Sequence, residues 1–318
     1  MTADTPALLT ALTARARAAA HPRTPTAPCV CVSTPLADRR DATVVRHAGT
    51  VAKAHAPGTD RAALALRLTT AARHPHVLLP PLLPAPARLH DRPVTFWPYG
   101  APVDPDTPEA APWEEAATLL ARLHRIPVPT GLPPMRGPAK AARALARLRT
   151  ALDGTTHPAA GPVLDAWAAL PAWARAEAPM PGPAALCHGD LHLGQLVRHP
   201  APDGPWKLID VDDLGAGAPA WDLARPAAWY ACGLLPPEEW TRFLTAYRQA
   251  AGPAVPPHGD PWPALDVAAR ALTVQTAALA LTKALTADRP LDEVEQALID
   301  ACARMAAVPP PPAPGSPD

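Results

Sequence analysis

Two periods of hydrophobic and polar positions divide this chain into a strand-rich part and a longer helical part. Apolar residues alternate with polar or small ones at residues 28–33, 42–46 and 50–55, which is the period-two pattern of half-buried strands. Residues 47–49, His-Ala-Gly, lie between the last two runs and predict a tight turn. The pattern therefore predicts a small antiparallel sheet near the start of the chain.

Apolar residues on either side of these strands recur every three or four positions, as they do on one face of a helix. An amphipathic helix is predicted at residues 6–20, and another at residues 60–72, where Asp60 is a suitable N-cap. Too many prolines interrupt residues 77–88 for a helix, so this segment is predicted to be extended, and residues 93–99 predict another strand.

The remainder of the chain is predicted to be mainly helical. Residues 113–125 carry acidic residues in the first turn and basic residues in the last, which matches the helix dipole. Further helical patterns occupy residues 139–151, 161–178, 220–233, 237–250, 262–286 and 291–307.

These elements predict an α+β fold in which a small antiparallel sheet precedes a mainly helical part. A connector rich in Pro and Asp at residues 100–112 is the best candidate for a boundary. We therefore expect four segments, which are an N-terminal helix at 1–20, an N-lobe at 21–100, a helical C-lobe at 101–306 and a disordered, proline-rich tail at 307–318.

The charge is balanced overall but uneven along the chain. There are 29 basic and 29 acidic residues among 318, and the first 150 residues hold 19 of the basic and 10 of the acidic ones. A basic first half fits a protein that receives a polyphosphate there, although solvated arginine faces on helices would explain the same surplus. With 48% hydrophobic residues the chain has enough apolar surface to fold, despite its 47 prolines.

The chain has five cysteines, Cys29, Cys31, Cys187, Cys232 and Cys302. Their number is odd and no two have CxxC spacing, so neither a disulfide framework nor a zinc site is expected. Cys29 and Cys31 alternate with valines, which predicts a strand that buries two thiols. Without a signal-like start or a run of about 18 uncharged apolar residues, we expect a soluble, cytoplasmic protein with no membrane or nucleic-acid partner.

The richest chemistry lies at residues 187–224, which read CHGDLHLGQLVRHPAPDGPWKLIDVDDLGAGAPAWDLA. Gly189 permits a sharp turn that presents Asp190, and Gln195 offers an amide oxygen five residues later. Asp210 closes a short apolar run that predicts a buried strand. One amide oxygen and one carboxylate suit Mg²⁺ bound to a triphosphate, and a second acid could then accept a hydroxyl proton. Phosphoryl transfer requires both a metal site for the phosphates and a group that accepts the hydroxyl proton.

The same stretch resembles the signature of the aminoglycoside phosphotransferase and choline kinase superfamily. That signature runs HGDxxxxN, then a strand, then IDxxxxGxGDPxxDLA, and this chain has HGDLHLGQ, LIDVDD and GAGAPAWDLA in the same order. The resemblance extends over most of the chain, including the predicted sheet. It implies a protein-kinase-like fold of two lobes and an enzyme that uses ATP and Mg²⁺ to phosphorylate a hydroxyl group of a small molecule, as a monomer or weak dimer.

The resemblance also implies roles for individual residues. Asp190 corresponds to the catalytic base, His188 to a residue that supports the catalytic loop, and Asp222 to the acid that ties this loop down. Gln195 and Asp210 correspond to the two metal ligands.

A further group of residues would bind the nucleotide. Lys53, at the end of a predicted strand, corresponds to the lysine that holds the α and β phosphates. Residues 95–100 correspond to the hinge that contacts adenine, with Phe96, Trp97 and Tyr99 as its side chains.

Four features depart from the family pattern. Gln195 replaces the commoner Asn, and Ala218 replaces an Asp. Residues 61–72 contain no acid to pair with Lys53, so Asp60 is the nearest candidate. Residues 33–41, read as the phosphate loop, contain no glycine, and Arg39 or Arg40 would then supply the phosphate contacts.

Two other functions compete with the kinase. The missing acid and the glycine-poor loop would fit a catalytically silent, kinase-like binding protein. His188, Asp190 and His192 spell HxDxH, which would fit a metal-dependent hydrolase. The acceptor of a kinase stays open among amino sugars, sugars and amino alcohols.

Overall fold

The structure is a computed structural model that describes residues 5–23, 29–39 and 41–307. Arg40, the first residue of the strand predicted at 28–33 and most of the proline-rich tail lie outside the described residues. The strands of the described part are β1 Ser33–Asp38, β2 Ala42–His47, β3 Thr50–His55, β4 Ala87–Leu89, β5 Arg92–Pro98, β6 Ala101–Pro102, β7 Ala185–Cys187, β8 Leu196–Arg198, β9 Trp206–Leu208 and β10 Gly215–Gly217. Its α-helices are α1 Thr5–Ala20, α2 Arg61–Arg73, α3 Trp113–His124, α4 Gly137–Leu152, α5 Ala160–Ala168, α6 Ala220–Ala231, α7 Pro237–Gln249, α8 Trp262–Thr286 and α9 Glu293–Ala306.

The described residues group into two compact units. The first, which we call the sheet unit, runs up to Leu119 and also contains Pro129–Pro133 and Leu193–Asp212. The second, the helical unit, contains Leu120–Val128, Pro134–His192 and the chain from Asp213 onward. The segment boundaries expected from the sequence stay a prediction.

The sheet unit is built on an antiparallel sheet with the order β1-β2-β3-β5-β4. One face of this sheet packs on α1. Leu8, Leu12 and Ala16, spaced four residues apart on α1, share a buried cluster with sheet residues that include Val45 and Phe96. The predicted N-terminal helix and small sheet are thus present, and they form one core.

The strand predicted at 28–33 begins later than expected. Residues 29–32 are irregular, and β1 instead occupies Ser33–Asp38, a segment that the sequence analysis treated as a loop. Pairing explains the shift, because Ser33 lies opposite His47, the last residue of β2, and no β2 residue is left to pair with the residues before Ser33. Val30 and Val32 are accordingly 101% and 77% exposed, so this segment does not pack like a core strand.

A second, three-stranded sheet of the same unit places two predicted site residues. Its order is β6-β8-β9, and a parallel bridge joins Leu78 to Leu208 in β9. Gln195 directly precedes β8, and Asp210 follows two residues after the end of β9. Because β8 and β9 pair as neighbours, Gln195 and Asp210 lie at the same end of this hairpin.

The helical unit has α8 at its centre, in contact with α4, α5, α6 and α9. By length and composition alone α8 could cross a membrane, but most of its apolar stretch is buried against these helices, as in the core helix of a globular unit. The bounds of α8 are those predicted, whereas the helix predicted at 161–178 ends at Ala168. Pro171 explains the early end, because proline disfavours helical conformation in the residue before it.

Candidate active site

Lys53 lies on β3, between β2 and β5, and forms ion pairs with two carboxylates of the sheet unit. Its Nζ is 2.7 Å from Oδ1 of Asp210 and 3.0 Å from Oδ2 of Asp212. Burial disfavours the charged ammonium, but the attraction of the two carboxylates outweighs it and raises the pKa of Lys53. The side chain therefore supplies a fixed positive charge.

Asp212 is the acidic partner of Lys53 that the sequence analysis did not find. Asp60, the candidate named there, instead caps α2, and its carboxylate accepts hydrogen bonds from the N–H groups of Ala62 and Ala63. Burial opposes ionisation of Asp212, but Lys53 and His55 outweigh it and lower the pKa of this carboxyl far below its usual value.

A chain of buried hydrogen bonds supports Asp212. The imidazole Nδ1 of His55 lies 3.1 Å from Oδ1 of Asp212, and its Nε2 lies 2.9 Å from the hydroxyl oxygen of Thr95. That hydroxyl also accepts a hydrogen bond of 2.9 Å from Nε1 of Trp97. The network assigns the His55 tautomer, with Nδ1–H donating to Asp212 and Nε2 accepting from Thr95. Trp97 is thereby connected to the acid that holds Lys53.

Asp210 and Gln195, the predicted metal ligands, lie next to a backbone hydrogen bond that joins β8 and β9 at this end of the hairpin. The N–H of Ile209 donates to the carbonyl oxygen of Gln195 at 2.9 Å. Asp210 has φ 62°, in the left-handed region that residues with a side chain seldom adopt and that concentrates at functional sites. Gln195 is buried, and its side-chain amide makes no hydrogen bond to another residue in the described part of the chain. Its oxygen is therefore available to a ligand.

The hinge residues named from the sequence lie on or next to β5, in different environments. The side chain of Phe96 packs in the core beneath α1, and its carbonyl oxygen accepts a hydrogen bond of 2.8 Å from the N–H of Leu82. Trp97 is buried beside Thr95. The guanidinium of Arg46 lies 3.4 Å from the centre of the Tyr99 ring. The side chain of Phe96 is therefore part of the core.

In the helical unit, Asp222 fixes the loop that carries Asp190. Oδ2 of Asp222 accepts a hydrogen bond of 2.6 Å from the N–H of His188, and Oδ1 accepts one of 2.7 Å from the N–H of Gly189. Gly189 has φ 82°, and a Cβ there would lie 2.6 Å from the carbonyl oxygen of Asp213. Only glycine therefore fits this turn without displacing the backbone.

Asp222 is itself held by a buried network that the sequence analysis missed. Nε2 of His124, at the end of α3, lies 2.9 Å from Oδ2 of Asp222, and Nδ1 lies 2.7 Å from the hydroxyl of Tyr247. The same hydroxyl accepts a hydrogen bond from the N–H of Ala254 at 3.0 Å. His124 is one of the basic residues in the last turn of this helix, where the sequence suggested a cation for the helix dipole, but it is a buried link between Asp222 and Tyr247.

Asp190 lies in the loop so held and contacts two cations. Nζ of Lys140, on α4, donates to Oδ2 of Asp190 at 2.6 Å, and Nη2 of Arg225, on α6, donates to Oδ1 at 2.9 Å. Burial would raise the pKa of this carboxyl, but the attraction of Lys140 and then Arg225 outweighs it and lowers the pKa to about 2. Asp190 is therefore an oriented carboxylate that stays ionised.

A small pocket opens beside Asp190 within the helical unit. Its lining includes Lys140, Arg225, Trp221 and Gln275. Gln275 is only 6% exposed, and within the described residues its side-chain amide makes no hydrogen bond. This amide lines the pocket and can both donate and accept hydrogen bonds, so it offers contacts to a polar ligand.

The ionic side chains at and next to this pocket form a connected cluster. Lys140 also contacts Asp213 at 2.8 Å, and Arg136 lies 3.0 Å from the same carboxylate. With Arg225 the cluster holds three cations against the two carboxylates Asp190 and Asp213. Neither Lys140 nor Arg225 stood out in the sequence. They precede and follow Asp190 by 50 and 35 residues, and no local motif marks them.

Comparisons with known proteins place the chain among phosphotransferases. The sequence profile described as "Phosphotransferase enzyme family" matches residues 36–266. No curated protein matches the chain.

Solved structures resemble it over almost the whole chain at low identity. A choline/ethanolamine kinase family protein from Mesorhizobium loti has 17% identity and a TM-score of 0.54, with 94% of this chain and 96% of that chain covered. A thermostable mutant of aminoglycoside phosphotransferase APH(4)-Ia, in its apo form, has 14% identity and a TM-score of 0.59, with 92% and 99% covered. A ternary complex of that enzyme with AMP-PNP and hygromycin B has 15% identity and a TM-score of 0.55, with 86% and 94% covered. These similarities confirm the α+β, protein-kinase-like fold expected from the sequence.

Proposed function

Because the chain belongs to the phosphotransferase enzyme family, we propose that it transfers the γ-phosphoryl group of ATP to a hydroxyl group of a small molecule. Membership of this family confirms the resemblance seen in the central motifs and the enzyme class it implied. The observation that carries the finer proposal is the carboxylate of Asp190, which two cations orient in a loop that Asp222 fixes through its backbone.

Lys53 is the proposed contact for the phosphates of ATP. Its ammonium stays charged, and Asp210 and Asp212 hold it in place. A lysine fixed in this way offsets the repulsion between the phosphates of ATP and the nearby carboxylates. AMP-PNP in the complex of aminoglycoside phosphotransferase APH(4)-Ia supports a nucleotide as the donor. Trp97 and Tyr99 are the proposed adenine neighbours, and Phe96 would contribute backbone groups only, because its side chain is in the core.

Asp210 and Gln195 fit Mg²⁺, because they offer a carboxylate and an amide oxygen at the end of one hairpin and Mg²⁺ prefers hard oxygen ligands. The uncommitted amide of Gln195 and the left-handed backbone of Asp210 are the observations that support this assignment. When bound, the ion would neutralise negative charge on the phosphate oxygens.

Asp190 is the proposed acceptor of the hydroxyl proton. As the acceptor oxygen bonds to the γ-phosphorus, the bond from that phosphorus to the β–γ bridging oxygen breaks, ADP leaves and the hydroxyl proton passes to Asp190. A carboxyl whose pKa is about 2 is a weak base, so its main contribution is to orient the hydroxyl until the proton becomes acidic in the transition state. His188, buried in the same loop, supports its position.

For the acceptor we propose a hydroxylated compound that carries a carboxylate or another anionic group. Lys140 and Arg225 at Asp190, together with the side-chain amide of Gln275, support this choice, since they line the pocket with hydrogen-bond donors and hold two cations against one carboxylate. Lys140 uses two of its three N–H bonds in ion pairs, and Nη1 of Arg225 takes part in neither of its contacts. A cationic amino sugar would meet repulsion there.

The contacts of Lys53 also bear on the silent binding protein. One reason for that alternative was the lack of an acidic partner for Lys53, and Asp212 supplies such a partner at 3.0 Å. The hydrolase has no comparable support from a contact described above.

The proposed function is tested in two steps on the full chain. Calorimetric titration measures ATP binding with and without Mg²⁺, and a coupled assay then measures ADP release with hydroxy acids, their amides and matched amino alcohols. We expect Mg²⁺-dependent binding and faster ADP release with hydroxy acids. Absence of nucleotide binding would contradict the kinase, whereas binding with preference for amino alcohols would contradict only the proposed acceptor.

A further inference from the structure

Four potential metal ligands meet in the sheet unit. His21 follows the end of α1, Cys29 and Cys31 lie in the irregular segment before β1, and His47 is the last residue of β2. One nitrogen from each histidine and the sulfur of each cysteine all lie within 4.8 Å of one another. Three segments of the chain thus bring two thiols and two imidazoles to one point.

The spacing of these atoms matches a tetrahedral zinc site. Bonds of about 2.0–2.1 Å to nitrogen and about 2.3 Å to sulfur place two nitrogen ligands roughly 3.3 Å apart, and a nitrogen and a sulfur ligand about 3.5 Å apart. Nε2 of His21 lies 3.3 Å from Nε2 of His47, and Sγ of Cys29 lies 3.4 Å from the latter atom. Two cysteines and two histidines are also a common ligand set of structural zinc.

A hydrogen bond from outside the cluster orients one of the ligands. The hydroxyl of Ser33 lies 2.7 Å from Nδ1 of His47. If Nδ1–H donates to Ser33, Nε2 carries the lone pair that a metal requires, and it is Nε2 that faces Cys29 and His21. Metal-binding histidines typically have their second nitrogen fixed in this way.

Packing does not explain why the thiols turn toward the histidines. The neighbouring Val30 is fully exposed and Val32 is largely exposed, so the more hydrophobic side chains of this segment face solvent while Cys29 and Cys31 face the imidazoles. Apolar burial of the valines therefore does not set the orientation of this segment. Both cysteines are free of disulfides.

We propose that His21, Cys29, Cys31 and His47 bind one Zn²⁺ ion in a structural site. Four protein ligands would complete its coordination and leave no position for substrate, which is the pattern of structural rather than catalytic zinc. The ion would join the end of α1 and the segment before β1 to the end of β2. No zinc site was expected from the sequence, because the cysteines lack CxxC spacing. The two histidines are distant in the chain from the CxC pair, and only the fold brings them beside it.

The test measures the zinc content of the full chain. The protein is purified under reducing conditions, any affinity tag is removed, and the sample is dialysed first against excess Zn²⁺ and then against buffer. Elemental analysis should find about one zinc ion per chain in the wild type and almost none in the Cys29→Ser/Cys31→Ser double variant. Cys232→Ser is the matched control, because Cys232 is a partly exposed thiol of the helical unit, and it should retain the wild-type content.

Two further measurements use only the wild-type protein, so they do not depend on whether the variants fold. Co²⁺ exchanged into the site should give the visible absorption of a tetrahedral cobalt–thiolate centre, and chelation should lower the melting temperature until zinc is restored. No bound zinc after reconstitution, or equal zinc in the double variant, would overturn the proposal and leave a hydrogen-bonded cluster of His21, His47 and Ser33. Loss of zinc with unchanged melting temperature would overturn its structural role.

Discussion

Lys140 donates a hydrogen bond of 2.6 Å to Asp190, and its attraction is the first among the charges that lower the pKa of this carboxyl to about 2. The lysine lies on α4 and also contacts Asp213 at 2.8 Å, so it is fixed from two sides. A cation next to the proposed base keeps the carboxylate ionised and oriented, and it also lowers the affinity of the carboxylate for a proton.

Lys140→Met should move the acid side of the pH–rate profile upward. The pKa of Asp190 is lowered in the folded protein, so the wild-type carboxylate stays ionised as the pH falls toward about 2. Without Lys140, the pKa of Asp190 should lie nearer the ordinary value of 3.8, and the carboxylate should become protonated at a higher pH. The measurement is kcat/KM for ATP between about pH 3.5 and 7. Lys283→Met, at an exposed position of α8, is the control, and superimposable profiles of all three proteins would contradict the prediction.

Asp212→Asn should weaken ATP binding. The substitution removes one of the two negative partners that position Lys53 and disturbs the contact with His55, so the ammonium loses its fixed orientation. We expect an increase in the dissociation constant of Mg²⁺-ATP on the order of tenfold, measured by calorimetry. Asp203→Asn, in an exposed turn of the same unit, should leave the constant unchanged, and equal affinities of both variants would argue against a role for Asp212.

Asp222→Asn should destabilise the helical unit and lower activity. The carboxylate accepts two backbone N–H groups and the imidazole of His124 in a buried site, and an amide offers only one oxygen in return. We expect a loss of about 3 kcal/mol in the free energy of unfolding, measured with urea. Tyr247→Phe removes only the outer hydroxyl of this network and should cost less, about 1–2 kcal/mol. The reverse order of the two variants would refute the network as drawn.

Gly189→Ala should destabilise the protein more than Gly182→Ala, although both glycines have a left-handed backbone conformation. Gly189 and Gly182 have φ 82° and 77°, but a Cβ at Gly189 would lie 2.6 Å from the carbonyl oxygen of Asp213, whereas nothing lies within 4 Å of one at Gly182. Gly182→Ala should therefore show only the backbone cost of about 1 kcal/mol. Gly189→Ala should additionally displace the loop of Asp190, which unfolding and turnover measurements would reveal together. Similar losses in both would remove the steric argument.

Local patterns in the sequence were sufficient for much of the fold. The 3.6-residue periodicity gave the bounds of α8, and the N-cap at Asp60 was recognised because capping depends on a few neighbouring residues. The first strand was placed too early, because a strand's limits depend on its partner and β2 ends at His47. Pairing of this kind is not encoded in the alternating pattern itself.

The contacts of the candidate site show the same limit. The HGD and LID motifs pointed to Asp190 and Asp210 as candidates, but the partners of these acids lie far away in the chain. Lys140 and Lys53 precede them by 50 and 157 residues, respectively. No local spacing links such residues, so Lys140, Arg225 and the role of Asp212 became visible only when the folded chain placed them together.

The most direct test of phosphoryl transfer is a single-turnover experiment with γ-labelled ATP, Mg²⁺ and a hydroxy acid that supports ADP release. The measured quantity is the rate at which label appears in the acceptor, for the wild type and for Asp190→Asn. The proposed role of Asp190 predicts a rate lower by about a hundredfold or more in the variant, with unchanged affinity for Mg²⁺-ATP. Equal rates of labelling in the two proteins would contradict it.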